Sequence, residues 1–431
     1  MAYLVRLALI IGAAVLFAGC VGSQLPIGAP PLVPQADALL AHAGKAQYRV
    51  LFSFGSNVHA YGGFRPEANL INLNGTLYGT TAGGGSGGLY NSYGAVFRIS
   101  TSGKEKAIYS FKGGPDGATP QAALVALNGV LYGTTFAGGW GCESTYRPYS
   151  GCGVVFSVTP SGNEKVLHRF GGPSARDGIQ PSVPLVAVGK DLYGTTYFGG
   201  AYRQGTIFRV STDGKEQIVH DFHATTANHD GAYPMAGLIN VDGVLYGTAS
   251  EGQGRYYNGG AVFKITTSGQ ETILYNFGDT KDGGLEPDAP LVAAGNRLYG
   301  TTSAGGAFGH GVVFTLSTTG AHEHVIWNFG ERTNDGTTPE TGLISIGNVL
   351  YGTTTAGGSN GGGTLFSVTT RGVEHILHDF GSIPNDGYGQ PSAVLNFRHL
   401  LYGTTQGGGE SPPSCPYSYG CQFGTVYVYR R

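Results

Sequence analysis

The sequence predicts an all-β chain folded as one seven-bladed β-propeller of four-stranded antiparallel blades. Three observations carry this. The triplet Leu-Tyr-Gly recurs seven times, with tyrosines at Tyr78, Tyr132, Tyr193, Tyr246, Tyr299, Tyr351 and Tyr402, at spacings of 51 to 61 residues. Each copy sits in the same succession of short, turn-bounded apolar runs, enough for four strands. The first run, Tyr48 to Phe54, matches the fourth strand of a repeat, whereas the chain ends on Gly424 to Tyr429, which matches the third. Four strands per unit of about 50 residues is a propeller blade. The first run therefore completes the last blade and closes the ring. A stacked β-solenoid is the competing fold. It gains nothing from such a permutation and asks for polar capping repeats, which the chain lacks.

Within a repeat the strands follow in order, here named a to d. An apolar run near a proline, such as Pro184 to Ala187, gives strand a. A tight turn such as Asn128-Gly129 or Asp242-Gly243 leads to Leu-Tyr-Gly-Thr-Thr in strand b. A glycine-rich loop follows, then a Val-Phe strand c such as Gly153 to Val158. A Ser-Gly or Asp-Gly turn leads to strand d, such as Glu164 to Phe170. Nothing after the N-terminal region holds a helical period. Gly 76 and Pro 21 make a loop-rich chain, but charged residues are only 12% against 41% hydrophobic and 11% aromatic. That balance is the reverse of a disordered chain. The net charge of -2 offers no basic field, which excludes nucleic acid as a partner.

The elements Leu-Tyr-Gly-Thr-Thr-x-x-Gly-Gly, Gly-x-Val-Phe and Asp-Gly-x-x-Pro, present locally as Leu131 to Gly139, Gly153 to Phe156 and Asp177 to Pro181, resemble the GloVer tandem repeat of "choice-of-anchor" bacterial surface proteins. The resemblance covers nearly all of the chain after the N-terminal region. It implies exposure outside the cytoplasm and no particular activity.

The N-terminus gives the address. Arg6 supplies a positive n-region, Leu7 to Phe17 an apolar stretch of eleven residues, and Ala18 and Gly19 small residues before Cys20. Eleven helical residues span about 17 Å, short of an apolar membrane core of roughly 30 Å, so a membrane anchor is the weaker reading. The segment resembles a bacterial lipoprotein signal ending in Ala-Gly-Cys, with Phe17 where leucine is commonest. The expectation is a signal peptide over 1–19, a lipidated Cys20 opening a Pro/Ala-rich tether over 20–47, and the propeller over 48–431. By general lipoprotein sorting, Val21 after the lipid site favours the outer membrane if the host is Gram-negative. Four further cysteines form two close pairs, Cys142 with Cys152 and Cys415 with Cys421. Disulfides are expected, since the intervening residues are rich in Tyr, Ser, Pro and Gly and an oxidising envelope favours them. A four-thiolate zinc site is the alternative.

Residue types that recur in every repeat are structural by expectation. The tyrosine of Leu-Tyr-Gly and the phenylalanine closing strand d (Phe54, Phe111, Phe170, Phe222, Phe277, Phe329, Phe380) should pack between blades. His168, His220 and His378 share a slot with Phe52, Tyr109, Tyr275 and Trp327, so they read as packing aromatics. Asp116, Asp177, Asp230, Asp282, Asp335 and Asp386 precede glycines between strand d and the next strand a. They read as turn residues binding local N–H groups, not as a calcium ring, because packed sheets stand about 10 Å apart. No metal or cofactor is expected.

Function should lie where repeats differ. The b–c loops vary in length and, with the d–a connections, emerge on one face, where binding usually resides. They carry Tyr90, Tyr93, Trp140, Tyr146, Tyr149, Tyr202, Tyr256, Tyr257, Tyr417 and Tyr419, with Glu143, Arg147, Arg203, Glu251 and Arg255 among them. Tyr and Trp in such settings give large contact area at little entropic cost. The expected ligand-binding set is Trp140, Glu143, Tyr146, Arg147, Tyr149, Tyr202, Tyr256, Tyr257, Tyr417 and Tyr419. This describes a monomeric, envelope-anchored binding module for a glycan or an envelope protein. The alternatives are a polysaccharide lyase or hydrolase at the channel mouth, with Glu143, Glu251, His310 and Glu410 as candidate groups, and a purely structural scaffold. No spacing selects a catalytic pair, so no catalytic residue is assigned.

Overall fold

The structure, a computed structural model, describes residues 47–55, 63–86, 92–139, 142, 151–172, 176–224, 230–252, 259–280, 283–410 and 423–431. It is a seven-bladed propeller of four-stranded antiparallel sheets. In blade 1 strand a is Ile71–Leu73, b Thr76–Thr81, c Ala95–Ile99 and d Glu105–Ser110. Blades 2 to 6 repeat this plan with strand a at Val125–Leu127, Val186–Val188, Ile239–Val241, Val292–Ala294 and Ile344–Ile346. Blade 7 is built from Leu395–Phe397, Leu400–Gly408, Thr425–Arg430 and, as its fourth strand, Tyr48–Ser53. Tyr48 stands opposite Tyr429 and Ser53 opposite Thr425, so the expected closure by the N-terminal strand is what the ring uses.

The hairpins follow from their turn residues. Asn74-Gly75, Asn128-Gly129 and Asp242-Gly243 join strands a and b with both residues at positive φ. This is the turn whose twist matches that of the strands. Every strand d carries one extra residue opposite strand c: Leu51, Ile108, Leu167, Val219, Leu274, Ile326 or Leu377. Such a bulge bends the outer strand and turns the bulged carbonyl toward the next blade. There the turn between strands c and d must pass close by. Gly103 has φ +85, and a Cβ on it would lie 2.5 Å from the Leu51 carbonyl oxygen.

Two contacts, each present seven times, join the blades. The phenylalanine closing strand d meets the central aromatic of strand c in the following blade, as in Phe54 on Phe97, Phe170 on Phe208 and Phe380 on Tyr427. The seven ring pairs have centroids 4.9–5.4 Å apart and planes at 60–76°, the edge-to-face arrangement aromatic quadrupoles favour. The first threonine of Leu-Tyr-Gly-Thr donates its hydroxyl to a carbonyl of the following blade at 3.0–3.5 Å. These bonds run from Thr80 to Ala122, Thr134 to Val183, Thr195 to Ala236, Thr248 to Ala289, Thr301 to Thr341, Thr353 to Ser392, and Thr404 across the closure to Ala68. The glycine between Tyr and Thr is needed for close approach, not for positive φ. A Cβ on Gly300 would sit 2.5 Å from the Phe314 ring. As expected, the Leu-Tyr-Gly tyrosines are packing residues; Tyr78, for one, packs with Leu124, Leu131 and Val154 of blade 2.

Phe54 is only 1% exposed. Truncating it should cost as much as truncating a mid-ring equivalent such as Phe222, about 3–5 kcal/mol for a buried Phe→Ala. Urea unfolding of the Phe54→Ala and Phe222→Ala variants tests this. A near-neutral Phe54→Ala would mean that the N-terminal strand does not complete the ring.

Candidate functional site

The b–c and d–a connections share one edge of every blade and pair with each other there, in blades 2 and 4 through the single bridges of Ala118 with Ala137 and Ala232 with Glu251. Gly178–Ile179, for example, pairs with Phe198–Gly199. Each d–a connection then runs inward to the axis through a residue followed by proline: Arg65, Thr119, Gln180, Tyr233, Glu286, Thr338 and Gln390. All seven have φ between +42° and +61°. Positive φ on a non-glycine residue costs on the order of 1–3 kcal/mol and persists only where the surroundings impose it. Here the imposition is visible. The Gln180 N–H bonds the Cys152 carbonyl of the preceding blade, and its carbonyl accepts the Tyr197 N–H of its own; Arg65, Thr119, Tyr233, Glu286 and Thr338 make the same pair of bonds. A ring of polar side chains thus surrounds the axial mouth on a rigid frame.

The residues after these prolines line the axial channel, a water-accessible space of about 180 Å³ walled by Glu67, Gln121, Ser182, Asp288, Glu340 and their neighbours. It is smaller than the roughly 300–1,000 Å³ of drug-sized ligand pockets, so a large ligand must rest on the face. Glu67 accepts bonds from Arg65 at 2.8 Å and Gln406 at 2.7 Å. Across the mouth the carboxylates crowd. Burial pushes Asp288 up, opposed by bonds from Ser303 and Ser250. Burial followed by the charges of Asp288 and Glu286 pushes Glu340 up.

An aromatic platform joins this mouth to the rim in blades 3 and 4. Tyr202 is stacked on His223, with centroids 3.7 Å apart and planes 8° apart. Tyr197, Phe198 and Tyr233 form a triangle of rings 4.3–5.8 Å apart. Of the seven exposed large hydrophobic residues among the described residues, Phe198, Tyr202, Met235, Phe308, Ile383 and Tyr388 lie on this face, and only Val373 sits in a turn on the other. Tyr202 was legible in the sequence as a loop aromatic; Tyr197, Phe198 and Tyr233 were not singled out. Their signal is departure from the repeat, since Phe198 occupies a position held by Gly83, Ala137, Glu251, Ala304, Ala356 and Gly407 elsewhere.

Cys142 and Cys152 form the expected disulfide, with Cys152 fully buried. Tyr93 packs against the blade 1–2 core. Cys20, Tyr90, Trp140, Glu143, Tyr146, Arg147, Tyr149, Arg255, Tyr256, Tyr257, Asp282, Cys415, Tyr417, Tyr419 and Cys421 lie outside the described residues. Glu251, His310 and Glu410 belong to three different blades, and no hydrogen bond or ion pair joins them.

The histidine slot does more than pack. His168, His220 and His378 do stand edge-on to Phe170, Phe222 and Phe380, like Tyr109 on Phe111. They also face the Asp-Gly carboxylates. Tyr109 donates to Asp116 at 2.8 Å, His220 bonds Asp230 at 3.2 Å, and His378 bonds Asp386 at 2.9 Å. Burial disfavours the charged form of His220, but Asp230 and then Glu271 outweigh it and raise its pKa. The aspartates also accept local N–H groups, as a turn residue should. Asp386 accepts from Gly381 and Gly387 and Asp335 from Gly330 and Gly336.

The sheet-spacing argument left out one residue type. The glutamate opening strand d of the following blade (Glu164, Glu216, Glu271, Glu374) reaches back to the aspartate, as its electrostatic coupling to Asp116, Asp177, Asp230 and Asp335 records. The repeated signal was a glutamate six residues before each strand-d phenylalanine. In the closing strand Tyr48 takes that place, donating to Asp386 at 2.6 Å and stacking on His378 with centroids 3.4 Å apart.

With fold and face in place, the class is a seven-bladed propeller whose one loop-rich face surrounds a narrow polar channel. The Gloeobacter/Verrucomicrobia repeat matches residues 140–285 and 229–415, and the chain belongs to that family. No curated protein sequence matches it. Among solved structures, the uncomplexed acylaminoacyl peptidase of Pyrococcus horikoshii aligns with a TM-score of 0.45 at 9% identity, over 85% of this chain and 51% of that one. This chain thus spans about half the length of that enzyme, and nothing of its activity transfers at this similarity.

Burial pushes Glu105 up to about 7, with no charged partner contributing. Its protonated form is favoured in the folded state. The associated stability is therefore full below the ordinary carboxylate value of 4.5 and is lost as pH rises through about 7. Thermal melts should show Glu105→Gln close to wild type at pH 5 and more stable at pH 8. An equal effect at both pH values would contradict the assignment.

Proposed function

We propose that the chain is an extracytoplasmic, envelope-anchored binding module that takes a glycan on its b–c/d–a face. The observation that carries this reading is the concentration of exposed large hydrophobic side chains on that face, with Tyr202 stacked on His223 beside the channel mouth. Aromatic faces stack on sugar rings, and a chain with few charges suits a neutral polymer. The rigid frame beneath supports it too, because a preorganised surface loses little entropy on binding. A glycan array and an insoluble-polysaccharide panel, probed with wild type and with the Phe198→Ala/Tyr202→Ala double variant, test it. Wild type should bind and the variant should lose binding at an unchanged melting temperature. Retained affinity in the variant would move the site off the platform, and a clean negative for wild type would favour an envelope-protein ligand or a scaffold role.

A catalytic reading, in which the chain cleaves a polysaccharide, draws support from one place. Asp288 and Glu340, both raised by burial, line the channel, where the charge of Asp288 also acts on Glu340, and perturbed carboxylates of this kind serve acid–base chemistry elsewhere. Product analysis of the same polysaccharide samples separates it from simple binding.

The address in this proposal rests on Cys20 and the residues before it, and is supported by the Cys142–Cys152 disulfide, which fits an oxidising compartment. Expressed in a Gram-negative host, wild type should incorporate labelled palmitate and fractionate with outer membrane. Cys20→Ala should incorporate none and leave the membrane fraction. Labelling of Cys20→Ala would refute the anchor.

A further inference from the structure

We propose that His168, Asp177 and Glu216 form a binding site for one divalent transition-metal cation, held between blades 2 and 3. His168 lies on strand d of blade 2 (Glu164–Arg169), Asp177 on the connection that follows, and Glu216 opens strand d of blade 3 (Glu216–Asp221). One donor atom from each residue comes within 4.8 Å of the others.

Three observations carry the assignment. First, Nε2 of His168, Oδ1 of Asp177 and Oε1 of Glu216 are all shut off from solvent, and none has a hydrogen-bond partner. Burying such atoms unpaired is costly, and three at one point is a concentration that a cation would satisfy at once. Second, the Asp177 side chain is 8% exposed, and its other oxygen accepts the Gly172 N–H at 3.0 Å. That bond holds the carboxylate with the unpaired oxygen turned toward His168 and Glu216. Third, the equivalent histidines and Tyr109 are already hydrogen-bonded to their aspartates. His220 and His378 are hydrogen-bonded to their aspartates at 3.2 and 2.9 Å, and Tyr109 to Asp116 at 2.8 Å. His168 approaches Asp177 at 3.5 Å without hydrogen-bond geometry. In the closing blade, Tyr48 replaces the glutamate altogether.

One imidazole and two carboxylates suit Zn²⁺ or Mn²⁺ better than Ca²⁺ or Mg²⁺, which take oxygen donors. Donors about 2.0–2.2 Å from a tetrahedral ion stand roughly 3.4 Å apart, so the cluster needs a contraction of rotamer size and no backbone change. Three protein ligands leave a position for water or for a group from a ligand. The cation would tie two blades together below the connection leading to Gln180.

The test uses the full chain in detergent, stripped with EDTA and titrated with Zn²⁺ alone and Mn²⁺ alone. Calorimetry, metal analysis and thermal melting are read together. The expected result is one equivalent of one of these ions per chain and a raised melting temperature. Both should be lost in His168→Phe, a residue this slot already holds as Phe52, and in Glu216→Gln, and both kept in His220→Phe. No stoichiometric binding of either ion, or equal binding in His168→Phe and wild type, would overturn the site. Loss in His220→Phe but not in His168→Phe would place the ion one blade further on and overturn it as well.

Discussion

A four-stranded blade is apolar on both faces, and neither face is covered until a neighbour packs against it. The edge-to-face contact between the phenylalanine ending strand d and the aromatic of strand c in the next blade therefore sets everything else. It fixes blade spacing, it requires glycine before the threonine of Leu-Tyr-Gly-Thr, and it aligns that threonine with the carbonyl it bonds. A ring of such contacts has no free face only if the last joint is made. That joint combines both ends of the chain: Phe54 on Phe97 and Thr404 on Ala68. Each is the counterpart of a contact between covalently consecutive blades, so the closure is chemically the same as the other six joints. Tyr48 acts one joint earlier, between blades 6 and 7, where its hydroxyl meets Asp386 in place of a carboxylate.

The same geometry divides the molecule into a conserved-looking half and a variable half without any alignment. On one face the a–b and c–d turns are held short, because the c–d turn presses against a bulged carbonyl of its neighbour. On the other face, the b–c loops are fastened at their ends by the positive-φ residues, six of which make the same pair of backbone bonds, and in blade 2 by the Cys142–Cys152 disulfide as well. Between those fastenings, length and composition are free to change. The strained residue is polar or aromatic in every blade, though glycine would adopt the same φ at lower steric cost. Side chains are thus presented around the mouth at positions where the fold alone does not ask for them.

The blades were legible because their determinants are local and repeated: a turn dipeptide, a Leu-Tyr-Gly-Thr strand, a phenylalanine at the end of strand d. The disulfide at Cys142 and Cys152 was legible for the same reason. The clasp of histidine or tyrosine, aspartate and glutamate was not. Its three members are separated by up to about fifty residues, as His168, Asp177 and Glu216 are. A single glutamate at the start of a strand carries no signal of its own until the blade angle brings it against the preceding loop. The platform of Tyr197, Phe198 and Tyr233 escaped for a different reason. Its residues sit where strand b and the d–a connection meet, and read alone they look like ordinary strand aromatics. Only comparison with the alanines and glycines that fill most of the same slots sets Phe198 apart.

The repeated clasp also answers why a chain with so few charges keeps carboxylates inside its interfaces. Two apolar faces with period-two strands can slide by a residue pair at little loss of buried area, whereas an aspartate that accepts an N–H from its own turn and a donor from its own strand d has one position. The glutamate of the next blade adds repulsion that burial magnifies, and Glu271 and Glu374 are pushed up to about 7 by burial and then by Asp230 and Asp335. Registry alone would be served more cheaply by a tyrosine, as Tyr48 shows in the closing strand. Keeping a titratable acid in that slot in the remaining blades makes the joints depend on proton or cation occupancy, and Arg332, 3.0 Å from Glu374, is the chain's own cation at one of them. At the blade 2–3 joint His168 stands without the hydrogen bond its equivalents make, and Oδ1 of Asp177 and Oε1 of Glu216 are buried beside it without a hydrogen-bond partner. A cation bound there would take the part that Arg332 plays beside Glu374.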